Sequence, residues 1–208
     1  MPVGIAQSER QALCSLLEDK GPLAPTLCEG WTTADLAAHL FIRENRPLAA
    51  PGIVLKPLKG VADRAMDTAK RSLGYGGLVS RVRSGPPMPF KLIDEKFNTL
   101  EYFVHHEDVR RAGEDVPARE DPSLDEALWA VVKRGARLLS RRVSGAGLEL
   151  SAPGFGVVRA HSGEPLATMS GGPQEITLYL FGRKDAARVE ISGDAAAVSA
   201  VKGAQFGM

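Results

Sequence analysis

The sequence predicts an α+β chain in two parts, an all-helical first part over residues 1–115 and a small α+β unit over 120–208. Three observations carry this. Apolar residues recur at spacings of three and four up to about residue 112. A polar stretch, Gly113 to Pro122, then breaks the pattern with Pro117 and Pro122. Beyond one further helix the period shortens to strand-like runs separated by turns at Pro153-Gly154 and Ser162-Gly163.

Taken in order, the first helix is predicted over Ala6 to Asp19, with Leu13, Leu16 and Leu17 on one side and Gly21, Pro22 and Pro25 ending it. The second runs from Thr33 to Asn45. Thr32, followed three residues later by Asp35, fits a capping box, and Trp31 is placed to staple the first turn. Leu36, Leu40 and Ile42 are its apolar residues, with His39 among them, and Pro47 and Pro51 punctuate the chain after Asn45. Val61 to Leu73 predicts a weaker helix closed by Gly74, Gly76 and Gly77, with a short helical stretch from Leu78 to Arg83 after it. The break from Ser84 to Pro89 precedes the strongest helix, about Phe90 to Ala112, whose stripe is Phe90, Ile93, Phe97, Leu100 and Val104. Four helices with breaks between them suggest a bundle, and the long middle connection suggests a crossover.

In the second part, Ser123 to Val143 reads as an amphipathic helix. Leu148 to Ser151, Gly156 to Ala160 and Ala167 to Ser170 read as strands, as does Val189 to Ser192. Gln174 to Phe181 fits a strand or a helix on periodicity alone, and Ala195 to Val201 reads as a closing helix.

Composition bounds the function. With 26 basic and 25 acidic residues the net charge is +1, so the chain lacks the concentrated basic face that nucleic acid or an anionic membrane requires. Arg110-Arg111 and Arg141-Arg142 are the densest basic spots and read as solvated helix faces. No apolar run approaches the roughly 18–20 residues of a membrane span, and Glu9 and Arg10 interrupt what would be a leader. Two cysteines, Cys14 and Cys28, suit reduced thiols in a cytoplasm, although their spacing leaves a disulfide open. Nothing in the sequence sets an oligomeric state.

Four histidines make the chemistry easy to audit. Glu101 and His105 are four residues apart on the best-predicted helix, so both leave one face, a turn apart. That face adjoins the apolar stripe, where a carboxylate and an imidazole need a partner. A shared divalent cation, zinc above all, supplies one, and His39 on the second helix offers a third ligand. Three protein ligands leave one position open, as catalytic zinc sites do. The bland reading is a surface Glu–His pair, or a polar trio bonded within the core. Asp108 either orients the His105 imidazole or pairs with Arg111 or Arg43. His106, about 100° round the helix, reads as solvated or as a support for a ligand, and His161 as exposed in a loop. Cys28 reads as a small packing residue before a reactive thiol. Nucleophile elbows and phosphate loops are absent: Gly74-Tyr75-Gly76-Gly77 lacks the strand-to-helix setting of a dinucleotide site.

Gly30-Trp31-Thr32-Thr33-Ala34-Asp35-Leu36-Ala37-Ala38-His39-Leu40, together with Glu101-x3-His105-x2-Asp108, resembles the metal-binding domain of mycothiol-dependent maleylpyruvate isomerases, within the wider DinB-like superfamily. The tail is similar too, from Ser170-Gly171-Gly172-Pro173-Gln174-Glu175-Ile176 through Leu180-Phe181-Gly182-Arg183 and on from Val189 to Asp194. The resemblance implies a DinB-like four-helix bundle followed by a small sterol-carrier-like α+β domain, in which the Leu178-Tyr179-Leu180 stretch is helical. It implies His39, Glu101 and His105 as the ligands of a divalent metal, and a low-molecular-weight thiol such as mycothiol as cosubstrate. That thiol would take the open position and add to a small electrophile. Arg43 and Arg183 are candidates to hold a substrate carboxylate, and each reads equally well as an ordinary surface or capping arginine. The superfamily spans isomerases, thiol S-transferases and members with no known reaction. The readings left open are therefore a thiol-dependent enzyme, a non-catalytic metal sensor or store, and a purely structural bundle.

Overall fold

A computed structural model describes residues 4–45, 59–86, 94–113 and 115–207. They form seven helices and a four-stranded sheet in two compact units, Met1–Val116 and Pro117–Met208. The prolines Pro47 and Pro51, and the stripe residues Phe90 and Ile93, lie outside the described residues.

The first unit contains α1 (Ile5–Lys20), α2 (Thr33–Asn45), α3 (Lys59–Ser84) and α4 (Asp94–Arg110). Helix α4 lies along α1, and α2 lies along α3. Leu13, Leu17, Leu36, Leu40, Ile42, Leu78 and Tyr102 are fully or almost fully buried at their shared core. The sequence predicts a weak helix and a short one after it, and α3 is two helices joined end to end. Its glycine signal survives as a kink at Gly74, whose φ of 64° and ψ of 173° are non-helical and lie where a side chain is strained. Gly76 and Gly77, by contrast, continue the helix.

Half of the expected capping box forms at the start of α2. The Thr32 backbone N–H donates to Asp35 Oδ2 at 2.9 Å and its hydroxyl donates to the same atom at 2.7 Å. Lys70 Nζ of α3 donates to the other Asp35 oxygen at 2.8 Å. Burial opposes the charge of Asp35, but the bonds from Lys70 and Thr32 outweigh it and hold the carboxyl below its usual range. The unfolded chain then binds more protons than the folded one in acid, so this group stabilises the fold above the ordinary carboxylate range and less as pH falls through it. Asp35→Asn is expected to flatten the acid limb of stability against pH and to cost about 1 kcal/mol at neutral pH, read by chemical denaturation between pH 3 and pH 7.

The second unit holds α5 (Pro122–Leu139), β1 (Gly147–Ala152), β2 (Gly156–His161), β3 (Leu166–Ser170), α6 (Pro173–Leu180), β4 (Glu190–Gly193) and α7 (Ala195–Gly203). Strand order is β2-β1-β3-β4, antiparallel except for the central β1–β3 pair. Leu148, Leu150, Ala167 and Met169 alternate inward at period two and pack with Trp129, Ile176 and Val201. The stretch that periodicity left between strand and helix is the helix α6, with Pro173 in its first turn and all eight residues buried. Helix α5 is capped by Asp121, which accepts from Leu124 N at 3.0 Å, and it stops four residues short of the expected Val143. Among the described residues no helix is long and apolar enough to cross a membrane.

Candidate metal centre

The loop between α1 and α2 is knitted by backbone bonds. Pro25 bridges Thr32, and Thr33 N donates to Ala24 O at 3.0 Å. Leu27 N donates to Asp108 O at 3.0 Å, which ties this loop to the end of α4. Trp31 N closes a turn on Cys28 O at 2.9 Å, and the left-handed φ of 75° at Gly30 is what that turn demands. The Gly-Trp pair therefore has a geometric reason. Trp31 does more than staple the helix start, because its ring tilts onto His39 with centroids 5.1 Å apart.

Helix α4 departs from the expected apolar stripe. Residues from Glu101 to Val109 are all buried, charged ones included, so nearly the whole circumference of the helix is enclosed. Each polar group accordingly has a partner. Glu107 takes Arg110 Nε at 2.9 Å and Arg111 Nε at 2.6 Å. His106, expected to be solvated or to support a ligand, is buried instead, its Nδ1 3.2 Å from Glu9 Oε2 on α1. His161 ends β2 and is half-buried, with Nδ1 3.3 Å from Ser162 O.

His39, Glu101 and His105 converge. His39 Nε2 lies 3.3 Å from Glu101 Oε1, His105 Nε2 lies 3.2 Å from the same oxygen, and one ligand atom from each of the three falls within 4.8 Å of the others. The two imidazoles meet edge to face, with centroids 5.1 Å apart. Asp108 stands behind His105, with Oδ2 2.8 Å from Nδ1, while Arg111 reaches Glu107 and Arg43 reaches Glu101. This carboxylate fixes the ring so that Nε2 faces the trio.

The donor set fits a divalent cation. In a tetrahedron with bonds of roughly 2.0–2.2 Å the ligand–ligand edges are about 3.3–3.6 Å, close to the N···O separations seen here. Burial keeps the His39 pKa low against the pull of Glu101, which leaves a neutral imidazole lone pair. Burial opposes the charge on Glu101 as well, yet the hydrogen bonds from His105 and His39 hold its carboxyl well below the usual range. For His105 burial works against protonation, but the bonds with Asp108, Cys28 and Glu101 win and raise its pKa well above the ordinary value. The His105 ring thus lies between two carboxylates, Glu101 and Asp108, a setting that favours a cation. A metal ion would replace the proton on Nε2.

Two residues that the sequence reading weighed without placing them at the centre lie beside it. Cys28 Sγ donates to Asp108 Oδ2 at 3.2 Å, and Cys28, His105 and Asp108 form a second trio within 4.8 Å that shares its imidazole with the first. Nothing local predicts this, because the contact spans eighty positions and depends on the path of the knitted loop. Arg43, one turn after His39, places Nε 3.2 Å from Glu101 Oε1 and donates from Nη1 to Asn98 Oδ1. The His-x3-Arg spacing was the available signal, since it stacks the two on one helix face. Arg183 donates to Phe181 O at 2.7 Å, beside the end of α6. Both cysteines are free thiols, and burial pushes the Cys14 pKa up to about 11.

No protein-family model and no curated protein matches the chain. Among solved structures it is similar to a crystal structure of the mycothiol-dependent maleylpyruvate isomerase, with a TM-score of 0.58, 18% identity and 92% of each chain covered. A histidine-to-alanine mutant of that isomerase gives a TM-score of 0.59 at the same identity and coverage. The chain therefore has a fold related to that isomerase over nearly its whole length, and at this identity the likeness speaks for the fold alone.

Proposed function

We propose that the protein binds one divalent metal ion, zinc, through His39, Glu101 and His105, and acts as a thiol-dependent transferase or isomerase on a small electrophile. The observation that carries this is the meeting of two imidazole nitrogens on one buried carboxylate oxygen, at 3.2 Å and 3.3 Å. The relation to the fold of a mycothiol-dependent isomerase supports a mycothiol-type thiol as cosubstrate. On this reading residues 1–115 are a DinB-like four-helix bundle, residues 120–208 are a sterol-carrier-like domain, and the setting is cytoplasmic.

When bound, the ion supplies a Lewis-acid position that lowers the pKa of a thiol brought to it. The protein's own groups do the rest. Asp108 holds the His105 tautomer, with Nδ1 as the donor and Nε2 free to ligate. Trp31 lies against His39 and limits the freedom of its ring. Arg43 of α2 brings a positive charge against Glu101, with Nε 3.2 Å from Oε1.

Two measurements test the reading. Protein purified without chelator is expected to carry about one zinc per chain by elemental analysis, and His39→Ala at least tenfold less. Turnover of a thiol with a small electrophile is expected in the metal-loaded protein and lost on chelation. Equal metal content in wild type and His39→Ala sinks the site. Stoichiometric metal without any thiol-dependent turnover favours the non-catalytic sensor or store instead.

A further inference from the structure

We propose that Arg43 makes this centre select a small anion, a thiolate or carboxylate, over a neutral donor at the open ligand position. The inference rests on the ion-site reading above and adds the charge of the ligand. Its first support is position. The Arg43 guanidinium is held by two bonds, Nε on Glu101 Oε1 at 3.2 Å and Nη1 on Asn98 Oδ1, and Asn98 is itself anchored by donating from Nδ2 to Glu44 Oε1 at 3.2 Å. It is thus fixed against a ligand atom, with a side chain 27% exposed, and among the described residues its Nη2 makes no hydrogen bond.

The second support is charge balance. Glu101 and Asp108 each contribute one negative charge, and His39 and His105 are neutral once they ligate. A divalent ion cancels the two carboxylates. Arg43, the cation in direct contact with the ligand Glu101, is then one positive charge in excess of this set, which favours an anion joining it. A single monoanion at the open position restores the neutrality of this set. The same excess charge repels the bare ion, so Arg43 weakens metal binding while strengthening anion binding. The two effects have opposite signs.

The test uses the full chain loaded with Co²⁺, whose visible absorption reports a change of ligand. Acetate, 2-mercaptoethanol and neutral imidazole are titrated separately. Arg43→Met is expected to bind Co²⁺ as tightly as wild type or up to about tenfold tighter, to bind acetate and the thiol at least about tenfold more weakly, and to bind imidazole unchanged. Arg43→Lys keeps most of the anion affinity, because charge rather than fork geometry carries the effect. Should Arg43→Met fail to fold, Arg43→Gln repeats the titrations. Anion affinities that do not depend on the charge at position 43, or that fall together with imidazole, overturn the proposal while leaving the metal site intact. If wild-type protein takes up no Co²⁺, the ion site itself falls, and this inference with it.

Discussion

Glu101→Gln is expected to reduce zinc retention to background and to abolish the stabilisation that zinc confers on the wild type. Glutamine has the shape of glutamate and keeps a carbonyl oxygen, so it separates two explanations of the same geometry. In a bonded core network, what matters about Glu101 Oε1 is that it accepts from His39, His105 and Arg43. A neutral carbonyl still accepts, and the metal-free variant should then lose only about 1–2 kcal/mol, as charge-assisted bonds become ordinary ones. In an ion site, the negative charge one bond from the metal is what counts, and a carboxamide is a poor replacement. Zinc at about a thousand times its Kd stabilises a protein by about 4 kcal/mol, and a variant that does not bind it gains nothing. Thermal unfolding with zinc and with chelator decides the matter. A wild type indifferent to zinc, or a Glu101→Gln variant that zinc stabilises equally, removes the metal centre and leaves the bonded trio.

The candidate trio was legible in sequence because its geometry is mostly local. Glu101 and His105 share a face by the four-residue spacing, and His39 stood out as an imidazole between Leu36 and Leu40. The second helix was legible to the residue, since Thr32, Asp35 and the flanking prolines are short-range signals whose physics is complete within one turn. Two kinds of feature were not legible. The first is burial that comes from the neighbours. Helix α4 has too few apolar residues to predict an enclosed helix, and its enclosure is tolerated because Glu107 pairs with Arg110 and Arg111 and His106 meets Glu9 of α1. The second is a contact made by loop path, as when Leu27 N bonds to Asp108 O and so carries Cys28 to a carboxylate eighty residues away. The α6 stretch falls between these cases. Its period was ambiguous because every face is buried, and only the family resemblance implied a helix there; Pro173 in the first turn is the local signal that goes with it.

The same network that steadies the centre should dominate the stability of the first unit, and Glu44→Gln is expected to show it. Arg10 is fully buried, and its Nη1 donates to Glu44 Oε2 at 2.7 Å, to Val82 O at 3.0 Å and to the Tyr102 hydroxyl. Tyr102 in turn donates to Glu44 Oε1 at 2.7 Å, and the guanidinium carbon sits 4.2 Å over its ring. Removing the charge of Glu44 leaves Arg10 a buried cation without a counter-charge from that partner, a change that typically costs about 3–5 kcal/mol. For a unit of this size that corresponds to a fall in Tm of roughly 10 °C or more. Removing both charges is different. Arg10→Met with Glu44→Leu takes away the desolvation cost together with the attraction, and buried pairs replaced in this way are often neutral or even stabilised. The double variant is therefore expected to recover most of what Glu44→Gln loses. Its lesion should appear instead at Asn98, which loses the Glu44 oxygen that anchors it and so loosens Arg43 at the ion site. A double variant as unstable as the single one would mean that the pair serves packing through its shape, and the electrostatic account of this core would have to be abandoned.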